Sequence, residues 1–505
     1  MQLSFDIDPS ASDSLQSQLI GEISTSITTG RLAPGTRLPG TRALSQQLGV
    51  SRNTVLLAFA ALEAEGFVET RKGAGTFVSA ASPETTSFEP QPAIAERKPA
   101  KPKEQPAVVC DFKLEAVDPD LFPTAVWRRL MMRRIQSSQF NLGRVDDRQG
   151  SLELRQSLCR FLGASRGMSV APEQILIVSS IQQATNVVGQ MFVTPGSPVI
   201  VERPGCSLIA PIYSRAGAEI VPVPTDADGL RTDLLPDIRD ALVAVTPERQ
   251  FPMGYTMSVP RREALLEWAE RQDAHVFEVD FDSDFRYEGS PKPALQSLDT
   301  NQRFIYAASF ALTIGPGLRI GYLVVAPSLV EKALEALRLL DHAYPCQTQG
   351  GAPWVDQAVL CDFIDSGGYD RQLRRLRKAY MERRDALVQS LHRHFGDCDL
   401  LGTSSGTHLI WRLPSHMPDA LTCQALAREA GIVVNTLQQE TITGPGFLAE
   451  WPRYLLLGYA DLKPETIRSA VERLAEALVD ARAASQQGLG PSKTLQCGNG
   501  VPDRQ

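Results

Sequence analysis

The chain has 505 residues, 43% of them hydrophobic and 22% charged, with a formal net charge of −7. That length exceeds one ordinary hydrophobic core, so two or three domains are expected, and a net acidic chain has no general affinity for polyanions. The opening MQLSFDIDPS has no basic and apolar leader, and no stretch reaches the continuous apolar length of a membrane span, so a soluble, cytoplasmic protein with no membrane partner is expected.

The first strong pattern lies between Thr41 and Val78. Leu44 and Leu48 give one short helix an apolar face, Gly49 supplies a tight turn, and Ser51 is a suitable N-cap for a following helix whose Val55, Phe59 and Leu62 share a stripe. Val68 to Arg71 and Thr76 to Ser79 alternate as strands around Lys72-Gly73-Ala74-Gly75, a basic and flexible tip. This is the outline of a winged helix-turn-helix over residues 1–80, with double-stranded operator DNA as partner. Ser51, Arg52, Asn53 and Thr54 sit at the start of the second helix, where side chains reach base edges and free N–H groups favour phosphate; Arg52 and Asn53 are the expected base readers, and Lys72 a phosphate or minor-groove contact. Local charge agrees, since no acid occurs from Ile23 to Leu62 while Arg31, Arg37, Arg42 and Arg52 do.

Residues 81–107 turn to Pro, Glu, Lys and Ala and read as a linker, which if extended spans on the order of 80 Å at about 3.1 Å per residue. From residue 108 to 482, short β-branched runs (QILIVSS, PVIVE, ALVAVTP, HVFEVDF, RFIYAAS, GYLVVAP) alternate with helical segments, which argues for a mainly parallel α/β sheet covered by helices. After about Ser328 the pattern becomes helical, then HLIWRLP and ALTCQALAREAG indicate a second, smaller α+β lobe. Residues 483–505 are polar and Gly-rich and read as a disordered tail. The eight cysteines are scattered without a CxxC pair, so neither a disulfide scaffold nor a metal site is expected.

GRLAPGTRLPGTRALSQQLGVSRNTV and LEAEGFVETRKGAGTFV resemble the DNA-binding head of the GntR regulators, in which the positions of Arg42, Arg52 and the wing glycines Gly73 and Gly75 contact operator DNA. Gly40 departs from the pattern, where a small hydroxyl residue is more usual. The body motifs VDPDLFPTAVWRRL, SSIQQA, VTPERQFPMG, VDFDSDFRYEG, SFALTIGPGLRIGYLV and LLLGYADL resemble the fold-type I aminotransferases in the form fused to a GntR head, the MocR subfamily. The resemblance implies a homodimer whose body binds pyridoxal phosphate as a sensor and usually completes no transamination.

The same motifs depart from the family where the cofactor is held. A pyridoxal enzyme needs a Lys amine for the imine, an acid on the pyridine nitrogen and a cup for the phosphate. The resemblance puts the lysine position on Leu312, the ring-nitrogen acid on Val279, the ring tyrosine on Phe281, and the ring-covering aromatic on Cys206. Ser180 and Ile181 replace phosphate-holding residues, Leu456 stands at the carboxylate-gripping Arg, and Arg249 where His is common. Asp280 is one residue away from the acid position and, on a strand, points to the other face; Lys292 has no claim to replace the amine. Ser309 and Arg319 match two phosphate-cup residues, which keeps a non-covalent pyridoxal phosphate or another anionic ligand open; alternatively Arg319 pairs with Asp280 or Asp282. The expected function is therefore a DNA-binding transcriptional regulator with a degenerate aminotransferase-like body that dimerises and senses a small-molecule effector without a covalent cofactor. The alternatives are a regulator that binds pyridoxal phosphate non-covalently, a DNA-tethered scaffold that senses nothing, and an active aminotransferase.

Overall fold

The computed structural model describes residues 13–80 with Phe5, Ile7, Asp8 and Ala11, and residues 107–137, 147–299, 301–340, 353–440 and 451–486. The chain divides into two units, Met1–Glu104 and Gln105–Gln505. The expected linker, apart from Ala107, and the tail beyond Gln486 lie outside the described residues, as do Cys346 and Cys497.

In the first unit, α1 (Leu15–Thr28), α2 (Thr41–Leu48) and α3 (Arg52–Ala64) precede a hairpin of β1 (Val68–Arg71) and β2 (Gly75–Val78). Helix α1 carries no signal in the Thr41–Val78 pattern and is capped by the Ser14 hydroxyl, which accepts from the Ser17 amide at 3.1 Å. Gly49 ends α2 at φ +65°, a conformation that costs a residue with a Cβ, and so frees the chain to turn into α3. Gly40 leaves the start of α2 without a side-chain cap. Leu19, Ile23, Leu44, Val55, Phe59, Leu62, Val68 and Val78 form one core that joins all five elements. Leu62 is fully buried in it, so truncation to Ala would remove about 2–5 kcal/mol.

The second unit opens with β3 (Cys110–Asp111). Its large sheet contains β4 (Ile175–Val178), β5 (Pro198–Arg203), β6 (Glu219–Asp226), β7 (Gly229–Leu230), β8 (Leu242–Val245), β9 (His275–Asp280), β10 (Phe304–Ser309) and β11 (Gly321–Val324), in the order β4-β11-β10-β9-β8-β5-β6-β7. β11 is antiparallel to both neighbours and β7 to β6, while the other pairings are parallel. All six runs picked from the sequence are strands. Two strands of this sheet escaped, the two-residue β7 and β6, whose Pro222 and Pro224 disguise it; both prolines pair with β5, and the other side of β6 meets β7 only at Thr225 and Asp226, so the missing donors break little of the ladder.

Helices α4 (Thr124–Ile135), α5 (Leu152–Arg166), α6 (Ile181–Phe192), α7 (Ile209–Arg215), α8 (Val259–Arg271), α9 (Val330–Leu340) and α10 (Trp354–Asp365) cover the sheet. Strand alternation decides the layers: Val199, Val201, Phe277, Val279 and Ile305 pack toward α6, α7 and α9, whereas Ile200, Val243, Val276 and Phe304 pack toward α8. Ile177, Tyr306 and Tyr322 pack with residues of α4, α5 and α10.

The 28-residue α11 (Gly368–Phe395) leads to the smaller lobe, with β12 (Asp399–Leu401), β13 (His408–Arg412), α12 (Ala420–Glu429), β14 (Ile432–Val433), β15 (Asn435–Thr436), α13 (Leu437–Glu440), β16 (Tyr454–Gly458) and α14 (Pro464–Gln486). Its antiparallel sheet runs β12-β13-β16-β15, and β14 pairs in parallel with β3, so the first strand of the unit belongs to this lobe. No helix among the described residues is long and apolar enough to cross a membrane.

Candidate functional site

In the first unit the residues expected to meet DNA fall in three places: Arg42 in the first turn of α2, Ser51 to Thr54 at the start of α3, and Lys72, Gly73 and Gly75 at the hairpin tip. Arg42, Ser51, Arg52, Asn53, Lys72, Gly73 and Gly75 are exposed and Thr54 is half-buried. Ser51 caps α3 by accepting from the Thr54 amide at 3.0 Å, with its hydroxyl 2.8 Å from that of Thr54, so both hydroxyls also hold the helix start. Among the described residues Arg52 makes one long contact, Nε to Thr41 Oγ1 at 3.4 Å, and the side chain is exposed. At the tip, Gly73 adopts φ +79° and Gly75 φ +112°, and a Cβ on Gly75 would stand 3.2 Å from Arg37 Nε. The positive φ values favour glycine at both places, and a Cβ on Gly75 would also make the Arg37 side chain give way by a few tenths of an ångström. Arg71 is held by Glu69 at 2.5 Å and lies 4.6 Å over the Phe77 ring, which leaves Lys72 as the outward cation of the tip.

In the second unit the positions that the resemblance assigns to the cofactor site fall into three apolar clusters. Val279 and Cys206 belong to one buried cluster with Ile181 and Phe251, and Phe281 packs against it, its ring 6.1 Å from that of Phe251. Burial pushes the Cys206 thiol up to about 12, so it is an inert packing group. Leu312 is half-buried against the cluster of the smaller lobe that contains Phe285 and Tyr380. Leu456 is fully buried with Met253, Ile410 and Leu437, flanked by Tyr255 and Trp451. The body lysines among the described residues, Lys113, Lys292, Lys332, Lys378 and Lys463, are all exposed.

The polar residues that the resemblance assigns to the phosphate are partly engaged by their own chain. Ser180 caps α6, accepting from the Gln183 amide at 3.1 Å. Ser309 Oγ accepts from the Ala311 amide at 3.0 Å. Arg319 ends a short turn in the left-handed region at φ 51° and is exposed, with no ion pair among the described residues. Its pairing with Asp280 or Asp282 is corrected by the structure, because buried arginines take both acids. Asp280 lies 3.0 Å from Arg166 and accepts from Ser283 and Tyr306 hydroxyls at 2.6 Å each. Burial works against its charge, but Arg166 and these donors prevail and hold it below its ordinary value. It faces the opposite side of β9 from Val279, as alternation requires.

Arg249 departs from the family pattern in sequence, but its partners are legible only in the structure. Only 4% exposed, it lies 3.0 Å from Asp282 and donates to the carbonyls of Ser405 at 3.1 Å and His408 at 2.8 Å. One guanidinium thus joins the large sheet's loops to the smaller lobe. It threads past Gly406, at φ +86°, where any Cβ would overlap it. Burial and the Arg249 charge hold the His408 imidazole down to about 3, so it is neutral and donates Nε2–H to the Pro252 carbonyl at 2.9 Å. Burial keeps Asp282 above its ordinary value even beside Arg249.

Two further buried carboxylates brace the same region. Glu202 accepts from the Thr246 amide at 3.1 Å and its hydroxyl at 2.6 Å, and burial pushes it up to about 7. Glu278 accepts from the Leu295 amide at 2.8 Å and is pushed up to about 8, again by burial. Among the described residues, no group of His, Cys, Asp and Glu is arranged to hold a metal.

Residues 15–78 match the bacterial regulatory proteins of the gntR family, and residues 112–474 match aminotransferase class I and II. The chain is 32% identical over 487 residues to the probable rhizopine catabolism regulatory protein MocR of Rhizobium meliloti, covering 94% of this chain and 95% of that protein. It is 30% identical over 473 residues to the uncharacterized HTH-type transcriptional regulator YhdI of Bacillus subtilis (strain 168), covering 93% and 96% respectively. Among solved structures, the multiple substrate aminotransferase of Thermococcus profundus matches with a TM-score of 0.67 at 24% identity, over 75% of this chain and 93% of that one, which is a likeness of fold.

Proposed function

The chain belongs to the MocR subfamily of GntR regulators, transcriptional regulators with a DNA-binding head fused to an aminotransferase-like body, and from that premise we propose that this body dimerises and senses an effector without holding pyridoxal phosphate covalently. The observation that carries the reading is Leu312, packed on an apolar cluster while every described body lysine is exposed. Without an inward amine no imine forms, and the first step of transamination is lost. The residues also do not fit the ring: a pyridinium placed beside Val279 and Phe281 would meet methyl and phenyl groups where it needs an acid and a hydroxyl. Arg52 and Asn53 read bases, Arg42, Lys72 and the tip amides hold phosphates, and two heads on a dimer read two half-sites of a cytoplasmic operator. The effector biases the heads through its differential affinity for two states of the body.

A non-covalent anion is the second reading, favoured by Arg319, whose planar donor fork faces outward without an ion pair among the described residues. One experiment separates the two: absorbance of the purified protein with added pyridoxal phosphate, before and after borohydride, with melting followed in parallel. No imine band and no change in melting are expected. A band fixed by reduction on a lysine refutes the reading, and a raised melting temperature without a band supports the non-covalent one.

A further inference from the structure

Helix α3 turns once per 3.6 residues, so its surface can be assigned from burial. Val55, Ala58, Phe59 and Leu62 face the core. The opposite face holds Asn53, Leu56, Leu57 and Ala60, all exposed, with Leu56 at 46% and Leu57 at 47%. Leu56 lies one turn beyond Arg52 and Leu57 one turn beyond Asn53, so the two leucines continue the row that the base-reading pair begins. Beyond the first turn, this face has no hydrogen-bonding side chain before Glu63, and Glu63 is turned to the hairpin, accepting from the Thr70 amide at 2.9 Å.

Base edges in the major groove present donors and acceptors to a helix, and the apolar feature among them is the 5-methyl group of thymine. We propose that Leu56 and Leu57 are specificity-determining residues that read thymine methyl groups beside the bases contacted by Arg52 and Asn53. The inference rests on the head's DNA-binding role. DNA is the occupant that the surroundings suit: the exposed cation Arg52 stands one turn before Leu56 on the same helix, and α3 carries no acid before Glu63. Two leucines in that frame complement a polyanion with methyl groups in its groove, and would be a poor match for an apolar protein face.

The test uses the full-length protein. Its half-site is selected from random-sequence duplexes, and each dT is then replaced in turn by dU, which removes only the methyl group. Loss of one buried methyl should weaken wild-type binding about fourfold at one or two positions. The Leu56→Ala/Leu57→Ala variant should bind the dT and dU duplexes equally, and its melting should match wild type because neither side chain is in the core. Equal wild-type affinity for dT and dU at every position overturns the inference, as does discrimination that survives undiminished in the double variant. Failure of the wild type to enrich any sequence would instead overturn the head's role, and the inference with it.

Discussion

Arg249→Met tests the pin between the two lobes of the body. Methionine keeps much of the length and apolar stem but deletes the charge and every donor. Asp282, 6% exposed, would remain as a buried carboxylate with no cation, and the Ser405 and His408 carbonyls would lose their donors. Stranding one member of a buried ion pair costs about 3–5 kcal/mol, and abandoned buried carbonyls about 1–3 each; since neighbouring losses do not add, about 4–6 kcal/mol is expected in total. Denaturant unfolding followed by tryptophan fluorescence, with Trp411 in the smaller lobe as reporter, should show the midpoint fall accordingly. The deficit should shrink at low pH, where Asp282 takes up a proton and the stranded charge disappears, and Arg249→Met/Asp282→Asn should recover part of it. A single variant within about 1 kcal/mol of wild type would refute the reasoning, because it would mean that water or another cation reaches Asp282.

Leu312→Lys alone should yield no keto acid from amino-acid donors in a coupled assay, since Val279 and Phe281 still leave the ring unsupported; turnover by that variant would sink the account of the cleft. Arg52→Ala should weaken binding to the selected operator by about 1–3 kcal/mol while sparing random duplexes, and equal losses in a fluorescence-anisotropy titration would reassign Arg52 to phosphate. Glu202 and Glu278 are raised above the ordinary carboxylate value to about 7 and about 8, so the folded chain binds their protons more tightly than the unfolded chain. Their contribution is complete below the unfolded value and is lost as pH rises toward 7 and 8. Melting temperature should therefore fall across that range, and Glu202→Gln/Glu278→Gln should flatten the slope; an unchanged slope would show that other groups control it.

The sequence made the local devices legible, because they are written in adjacent residues. Ser51 as cap, Gly49 as left-handed stop and the alternating runs of β8 and β9 each act within a turn or a strand. Helix α1 was harder to place, since its apolar residues have meaning only against α3. The cleft divides in the same way. Val279 and Asp280 could be assigned to opposite faces from strand period alone, whereas the partners of Asp280 and Asp282 come from Arg166 and Arg249, far away in the chain. Arg249 stood out only as a residue where His is common, and the glycines that flank its guanidinium at positive φ, Gly254, Gly402 and Gly406, do not say what passes them.

The place where β3 is sewn into the body has a mechanical meaning. Cys110 and Asp111 pair with Ile432 and Val433, and Phe112 donates to the Val433 carbonyl at 2.9 Å and accepts from Gly458 at 3.1 Å and from the Asn435 side chain at 2.9 Å. These bonds tie residues 110–112 to β14, β15 and β16 of the smaller lobe. The connector toward the first unit is thus moored to the smaller lobe, the lobe that Arg249 clasps. A shift of that lobe against the large sheet moves the mooring by the same amount, like a cleat on a sliding deck.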